Sequence, residues 1–196
     1  MQTMRAAAID HFGGPEVLSI HSLPVPVPDA REVLIAVDTA GVASWDADMR
    51  EGWSPTGHTR FPLVLGTDGG GTVAALGSRV RRFKVGDRVY AYSFDNPKGG
   101  FYAEYVAVLA ENIAHIPKRL DVERAGAIPC TGLTALQGID DALRVRVREF
   151  QRLGRAVEAA KLEVPIAGAY ALADAAKAHE RLAAGHVLGK IVLRTR

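Results

Sequence analysis

Turn-forming residues cut the first 109 positions into short runs of strand-forming side chains, and this constrains the fold more than any other feature. Met4 to Ile9 reads as a strand, and Phe12-Gly13-Gly14-Pro15 turns the chain. Val17 to Leu23 has strand character and runs into the extended, proline-rich stretch holding Pro24, Pro26 and Pro28. The strongest run is Glu32 to Val42, where β-branched residues alternate with smaller or polar ones. Thr67 to Leu76, Asp87 to Tyr92 and Phe101 to Leu109 follow, parted by Gly77-Ser78 and by a polar, glycine-ended loop before Phe101. Strands this short, separated by turns, predict a closed or nearly closed β-barrel. Ser44 to Arg50 reads as a short helix with Ser44 as its N-cap.

From residue 121 the period changes. Asp121 can cap a helix running to about Ile128. Pro129 and Gly132 interrupt it, and Thr131 can cap a second helix over Leu133 to Ala142. Phe150, Leu153 and Val157 form an apolar stripe at helical spacing, as do Leu172, Ala175, Ala176, His179 and Leu182. Gly185 ends the last helix, and Lys190 to Leu193 reads as a closing strand. The expected architecture is mainly β with peripheral helices, with the last strand joining the sheet of the first half.

Composition removes several function classes. A net charge of +2 over 196 residues gives no basis for binding nucleic acid or a membrane surface. No apolar run approaches the roughly 20 residues of a membrane span. The single cysteine, Cys130, excludes an internal disulfide and any multi-cysteine zinc site. A reducing, cytoplasmic setting is expected.

Several segments together resemble the medium-chain dehydrogenase/reductase superfamily. Leu65-Gly66-Thr67-Asp68-Gly69-Gly70-Gly71-Thr72-Val73, then Gly77, then Phe83-Lys84-Val85-Gly86-Asp87-Arg88-Val89, is similar to the signature of its GroES-like barrel. Gly100 to Tyr105, Pro129 to Ala135, Tyr170 to His179 and Gly185 to Leu193 resemble four further family stretches, in family order. The resemblance implies a GroES-like catalytic domain. Zinc-dependent members carry a thiolate where this chain has Ala43-Ser44-Trp45-Asp46, and Gly-His-Glu where it has Gly66-Thr67-Asp68. The chain is therefore most similar to the zinc-independent quinone oxidoreductase branch, which implies hydride transfer from NADPH to quinones or enones.

The same resemblance exposes a gap. After Ile139-Asp140-Asp141-Ala142-Leu143 the chain passes within a few residues to Arg148-Glu149-Phe150, which resembles a helix beyond the family's Rossmann domain. Between residues 143 and 188 the glycines are Gly154, Gly168 and Gly185, with no cluster to cradle a pyrophosphate. A domain of roughly 100–150 residues is missing. The join near 143–148 reads as an excision, engineered rather than decayed, within a single domain spanning 1–196. A G-x-G-x-x-A match at Gly69, Gly71 and Ala74 is no substitute, because the residues after it read as a strand and not a helix.

By resemblance, Ser44, Trp45 and Asp46 line an active-site wall, Thr131 lies near the nicotinamide, and Lys190 meets a cofactor phosphate or ribose. Each also has a plain alternative: core packing for Trp45, a helix cap for Thr131, a solvated charge for Lys190. His179 reads as a satisfied core histidine and Cys130 as a small core residue. Weak residual NADPH binding, no zinc and a quinone or enone ligand are expected. Three functions remain open: a partner-completed reductase, a catalytic domain nearly inactive alone, or an interaction module. Trp45 and Trp53 should mark an exposed apolar face through which a homodimer could form.

Overall fold

A computed structural model describes residues 2–54, 57, 59–94, 96–142, 155–159 and 163–196. β1 (Thr3–Ile9) lies between β2 (Ser19–Pro24) and β4 (Leu63–Val64) in a three-stranded antiparallel sheet. The second sheet runs in the order β8 (Ile113–His115), β6 (Arg88–Tyr92), β5 (Asp68–Leu76), β3 (Glu32–Val42), β10 (Lys190–Arg194), β9 (Ile166–Ala171). β7 (Tyr105–Leu109) also pairs with β3. Helices accompany the sheets, among them α1 (Ser44–Arg50), α2 (Val122–Gly126), α3 (Pro129–Ala142) and α4 (Ala175–Ala183). The fold is mainly β with peripheral helices. Among the described residues the only parallel strand pair is β9 with β10, and no complete dinucleotide-binding sheet is present.

β3 organises the larger sheet. β5 pairs along one edge, and the other edge is shared end to end, by β7 over Glu32–Ala36 and by β10 over Thr39–Val42. The closing strand therefore does join the first half of the chain. Alternation of side chains across β10 builds two cores. Ile191 and Leu193 enter the main cluster with Ile9, Ile35, Leu65 and Phe101. Val192 points the other way, into a second cluster with Tyr90, Leu120, Ile128 and Val157 that seats α2 and the helical residues 155–159 on the sheet.

Glycines set the spacing of these layers. A Cβ on Gly71 would stand 2.1 Å from the Ala36 carbonyl oxygen, and one on Gly126 would stand 2.7 Å from that of Thr39. β3 can lie against β5, and α2 against both, only without those side chains. Thr72 to Leu76 is strand, so the glycine block belongs to the sheet and opens no phosphate-binding helix.

The expected strand Phe101 to Leu109 forms only from Tyr105. Its first half changes partners instead: Gly100 and Tyr102 N–H donate to Val64 and Leu65, while Ala7 N–H donates to Tyr102 and Glu104 N–H to Arg5. This stretch is the corner at which the two sheets meet, so no single ladder can run through it. Asp121 caps α2 as expected, accepting from Arg124 N–H at 2.8 Å. Residues 143–148, Phe150 and Leu153 lie outside the described residues.

Candidate functional site

The site is built where β3 ends. α1 follows at once, and its third residue, Asp46, folds back so that Oδ2 accepts the Ala43 N–H at 2.9 Å. The cap position is therefore Ala43, and Ser44 is the exposed first helical residue, not the expected N-cap. Tyr102 Oη lies 3.2 Å from the same Asp46 oxygen and 3.1 Å from His179 Nε2. His179 Nδ1 lies 2.8 Å from Arg50 Nη1. A guanidinium only donates, so Nδ1 accepts, Nε2 carries the proton and donates to Tyr102, and Tyr102 donates to Asp46. Burial holds the His179 ring neutral, lowering its pKa to about 4, with the Arg50 charge adding to the effect. Arg50 also donates from Nε to the Gly13 carbonyl and pairs with Glu51. The expectation for His179 as a satisfied core histidine holds.

Asp46 is fully buried, and its Oδ1 has no hydrogen-bond partner among the described residues. Burial pushes this carboxyl up to about 7 and the charge of Asp68 adds to it, against the Ala43 N–H and Lys190. Asp68 opens β5, occupies space that a side chain on Gly41 would fill, and accepts the Cys130 N–H at 2.9 Å. Burial raises it to about 6, opposed first by that bond and then by Lys190. The Cys130 thiol, 3.8 Å from Thr67 Oγ1, is pushed far above its ordinary range by burial and Asp68, so it is a protonated core residue and no nucleophile.

α3 starts at Pro129, whose missing N–H costs nothing at a first helical position, and Asp68 takes the next free N–H. The break expected at Pro129 is present, since α2 ends at Gly126, but Gly132 does not interrupt α3, which starts four residues earlier than the expected Leu133. Thr131 sits inside the first turn instead of capping it, and its Oγ1 accepts from Lys190 Nζ at 2.9 Å. Trp45 is half-buried and donates from Nε1 to Thr67 Oγ1 at 2.6 Å.

Of the five residues expected from sequence, Thr131 and Lys190 are bonded to each other, and Lys190 faces Asp46 electrostatically. Trp45 is tied to Thr67, and Ser44 stands at the surface. Arg50, Thr67, Asp68, Tyr102 and His179 complete the cluster and were not singled out as site residues. For Thr67 and Asp68 the clue is their place in Gly66-Thr67-Asp68, and Arg50 lies one helical turn from Asp46; Tyr102 and His179 are distant from both in sequence. No group of three or more His, Cys, Asp or Glu among the described residues is placed to hold a metal. No helix among them is long and apolar enough to cross a membrane.

This architecture defines an alcohol dehydrogenase GroES-like domain, whose family model matches residues 29–118. Quinone oxidoreductase from the guanaco Lama guanicoe is 37% identical over 137 residues, 69% of this chain and 40% of that protein. The quinone oxidoreductase of Coxiella burnetii superposes with a TM-score of 0.86 at 21% identity, covering 100% of both chains. A mycobacterial protein solved in complex with NADPH gives 0.84 at 20% identity, covering 98% of this chain and 100% of that one. The chain belongs to the medium-chain dehydrogenase/reductase superfamily, in its quinone oxidoreductase branch. It spans about two fifths of the length of the curated relatives it matches.

Proposed function

We propose that this chain is the substrate-facing catalytic domain of an NADPH-dependent quinone or enone reductase, with little or no turnover by itself. The observation that carries this reading is the Lys190–Thr131 pair at the rim of the Asp46–Asp68 cluster, in a sequence with no phosphate loop. An ammonium and a hydroxyl at that rim fit the nicotinamide end of a dinucleotide, which needs hydrogen-bond donors and acceptors there. Nothing among the described residues fits the pyrophosphate. NADPH, when bound, supplies the hydride; Lys190 and Thr131 hold its nicotinamide ribose or amide, and Trp45 shields that end from water. Ala43 and Thr67 stand where zinc-dependent members place a thiolate and a histidine, which supports a zinc-independent site.

Titration calorimetry of the full chain with NADPH tests the proposal. Losing several charge-assisted bonds, each about 1.5–3 kcal/mol, moves a micromolar site beyond millimolar. The expected result is no saturation below the millimolar range. Micromolar binding would overturn it and favour a complete or partner-completed reductase.

A further inference from the structure

A cleft of about 920 Å³ opens beside this site, walled by Met4, Val25, Met49, Trp53, Val64 and Phe94 and reaching Thr67 at its inner end. Its volume is near the top of the roughly 300–1,000 Å³ range of small-ligand clefts. A single quinone ring would leave most of it empty, so the wall fits a larger flat body. Trp53 and Phe94 meet edge to face, ring centroids 5.9 Å apart, which leaves an aromatic surface for such a body to lie on.

Among the described residues three charged ones line the cleft: Asp29, Lys98 and Arg60. Lys98 is spoken for, bonded to Asp29 at 3.0 Å, to Glu32 and to the Val27 carbonyl. Arg60 makes no hydrogen bond or ion pair among the described residues. Among the described residues the cleft therefore presents one uncommitted cation, Arg60. Arg60 and Thr67 both line this cleft, at the two sides of the stretch that carries Pro62 to Gly66. The two thus face one and the same cleft.

Building on the reductase reading above, we infer that this cleft takes an amphipathic anion, a flat apolar body of two or three fused rings carrying an oxyanion that Arg60 holds. Arg60 is then a specificity residue for the substrate-facing domain, not a catalytic one.

Trp53 lies in the wall, so quenching of tryptophan fluorescence reports occupancy without cofactor or turnover. Three probes are titrated into the full chain: anthraquinone-2-sulfonate, neutral 2-(hydroxymethyl)anthraquinone and anthracene-2-sulfonate. The sulfonated quinone should quench saturably, bind about tenfold more tightly than the neutral one, and lose that advantage in Arg60→Gln while keeping it in Arg60→Lys. Trp53→Phe should remove most of the quench. Both sulfonates binding equally, with the same Arg60 dependence, would uphold the anionic cleft while removing support for a quinone substrate. Equal affinity of the charged and neutral quinones, unchanged in Arg60→Gln, would overturn the inference and leave the quinone reading standing. Probe binding that vanishes as the chain self-associates with rising concentration would assign the cleft to a second copy and also overturn it.

Discussion

Asp46 combines complete burial with a half-bonded carboxylate, so its proton is tied to folding. Its ordinary value of 3.8 rises to about 7 through burial, with Asp68 contributing. Below about pH 4 folded and unfolded chains both hold this proton. As pH rises from there to 7 the unfolded chain releases it first, so stability falls across that window. His179 acts oppositely: held down from 6.5 to about 4, it contributes stability that is present above 6.5 and lost as pH falls towards 4. Asp46→Asn keeps an acceptor for Ala43 and Tyr102 and removes the titration, and the unpaired amide it leaves at the Oδ1 position costs the same at every pH. Urea unfolding at pH 4, 5.5 and 7 should show this variant gaining on the parent chain as pH rises. The gain is at most about 1.4 kcal/mol for each unit between the folded and unfolded values. A difference that stays flat with pH would mean that the Asp46 proton is not coupled to folding.

At the scale of elements, β3 and its neighbours decide which substitutions the fold tolerates. A methyl on Gly71 meets the Ala36 carbonyl at 2.1 Å, and backbone cannot swing aside as a side chain can. Gly71→Ala should cost about 3 kcal/mol or more in thermal unfolding by prising β5 from β3. Gly86 offers the contrast: at φ +91 it sits in open space, so Gly86→Ala meets only backbone strain, about 1–2 kcal/mol. Equal losses at the two positions would refute the spacing argument. These elements were legible in the sequence because β3 and β5 combine strand formers with position-specific glycines. β9 was not legible: Ile166–Ala171 is Ala- and Gly-rich, and its pairing comes from β10 rather than its own propensity. β4 and β8, two and three residues long, are too short to carry a period. The Asp46–Tyr102–His179–Arg50 chain was hidden for another reason: Asp46 and Arg50 lie one turn apart on α1, but Tyr102 and His179 join them only through the corner near Tyr102 and the packing of α4.

At the scale of the whole molecule, the exposed face differs from the one expected. Trp45 is half-buried and bonded to Thr67, whereas Trp53 is 48% exposed. Phe12 and Phe61 pack edge to face at 5.1 Å, and Phe12 also lies against Gly52, the residue before Trp53. We propose a weak homodimer through the Phe12 and Phe61 side of this face and the outer edge of Trp53, leaving the cleft side of Trp53 open to the ligand. Analytical ultracentrifugation across concentration should show association that Trp53→Lys abolishes with little change in melting temperature. Trp45→Lys should instead lower the melting temperature, because it breaks the contact with Thr67. A parent chain that sediments as a monomer at every concentration would remove the proposal. Deleting residues 186–196 should lower stability sharply, since it strips β10 from the sheet; unchanged melting would contradict the pairing of Ile191 with Val42.

The sharing of one β3 edge by β7 and β10 has a consequence in time. β7 can cover its half of the edge soon after it is made, but Thr39–Val42 must wait for residues near 191. At about 5–20 residues per second on the ribosome, that wait is roughly 7–30 s. Throughout it, four backbone units beside an apolar strand are open to any other extended chain. The yield of this protein in a cell should therefore depend on how crowded its nascent chains are, and a slower or more dilute synthesis should recover more of it in folded form.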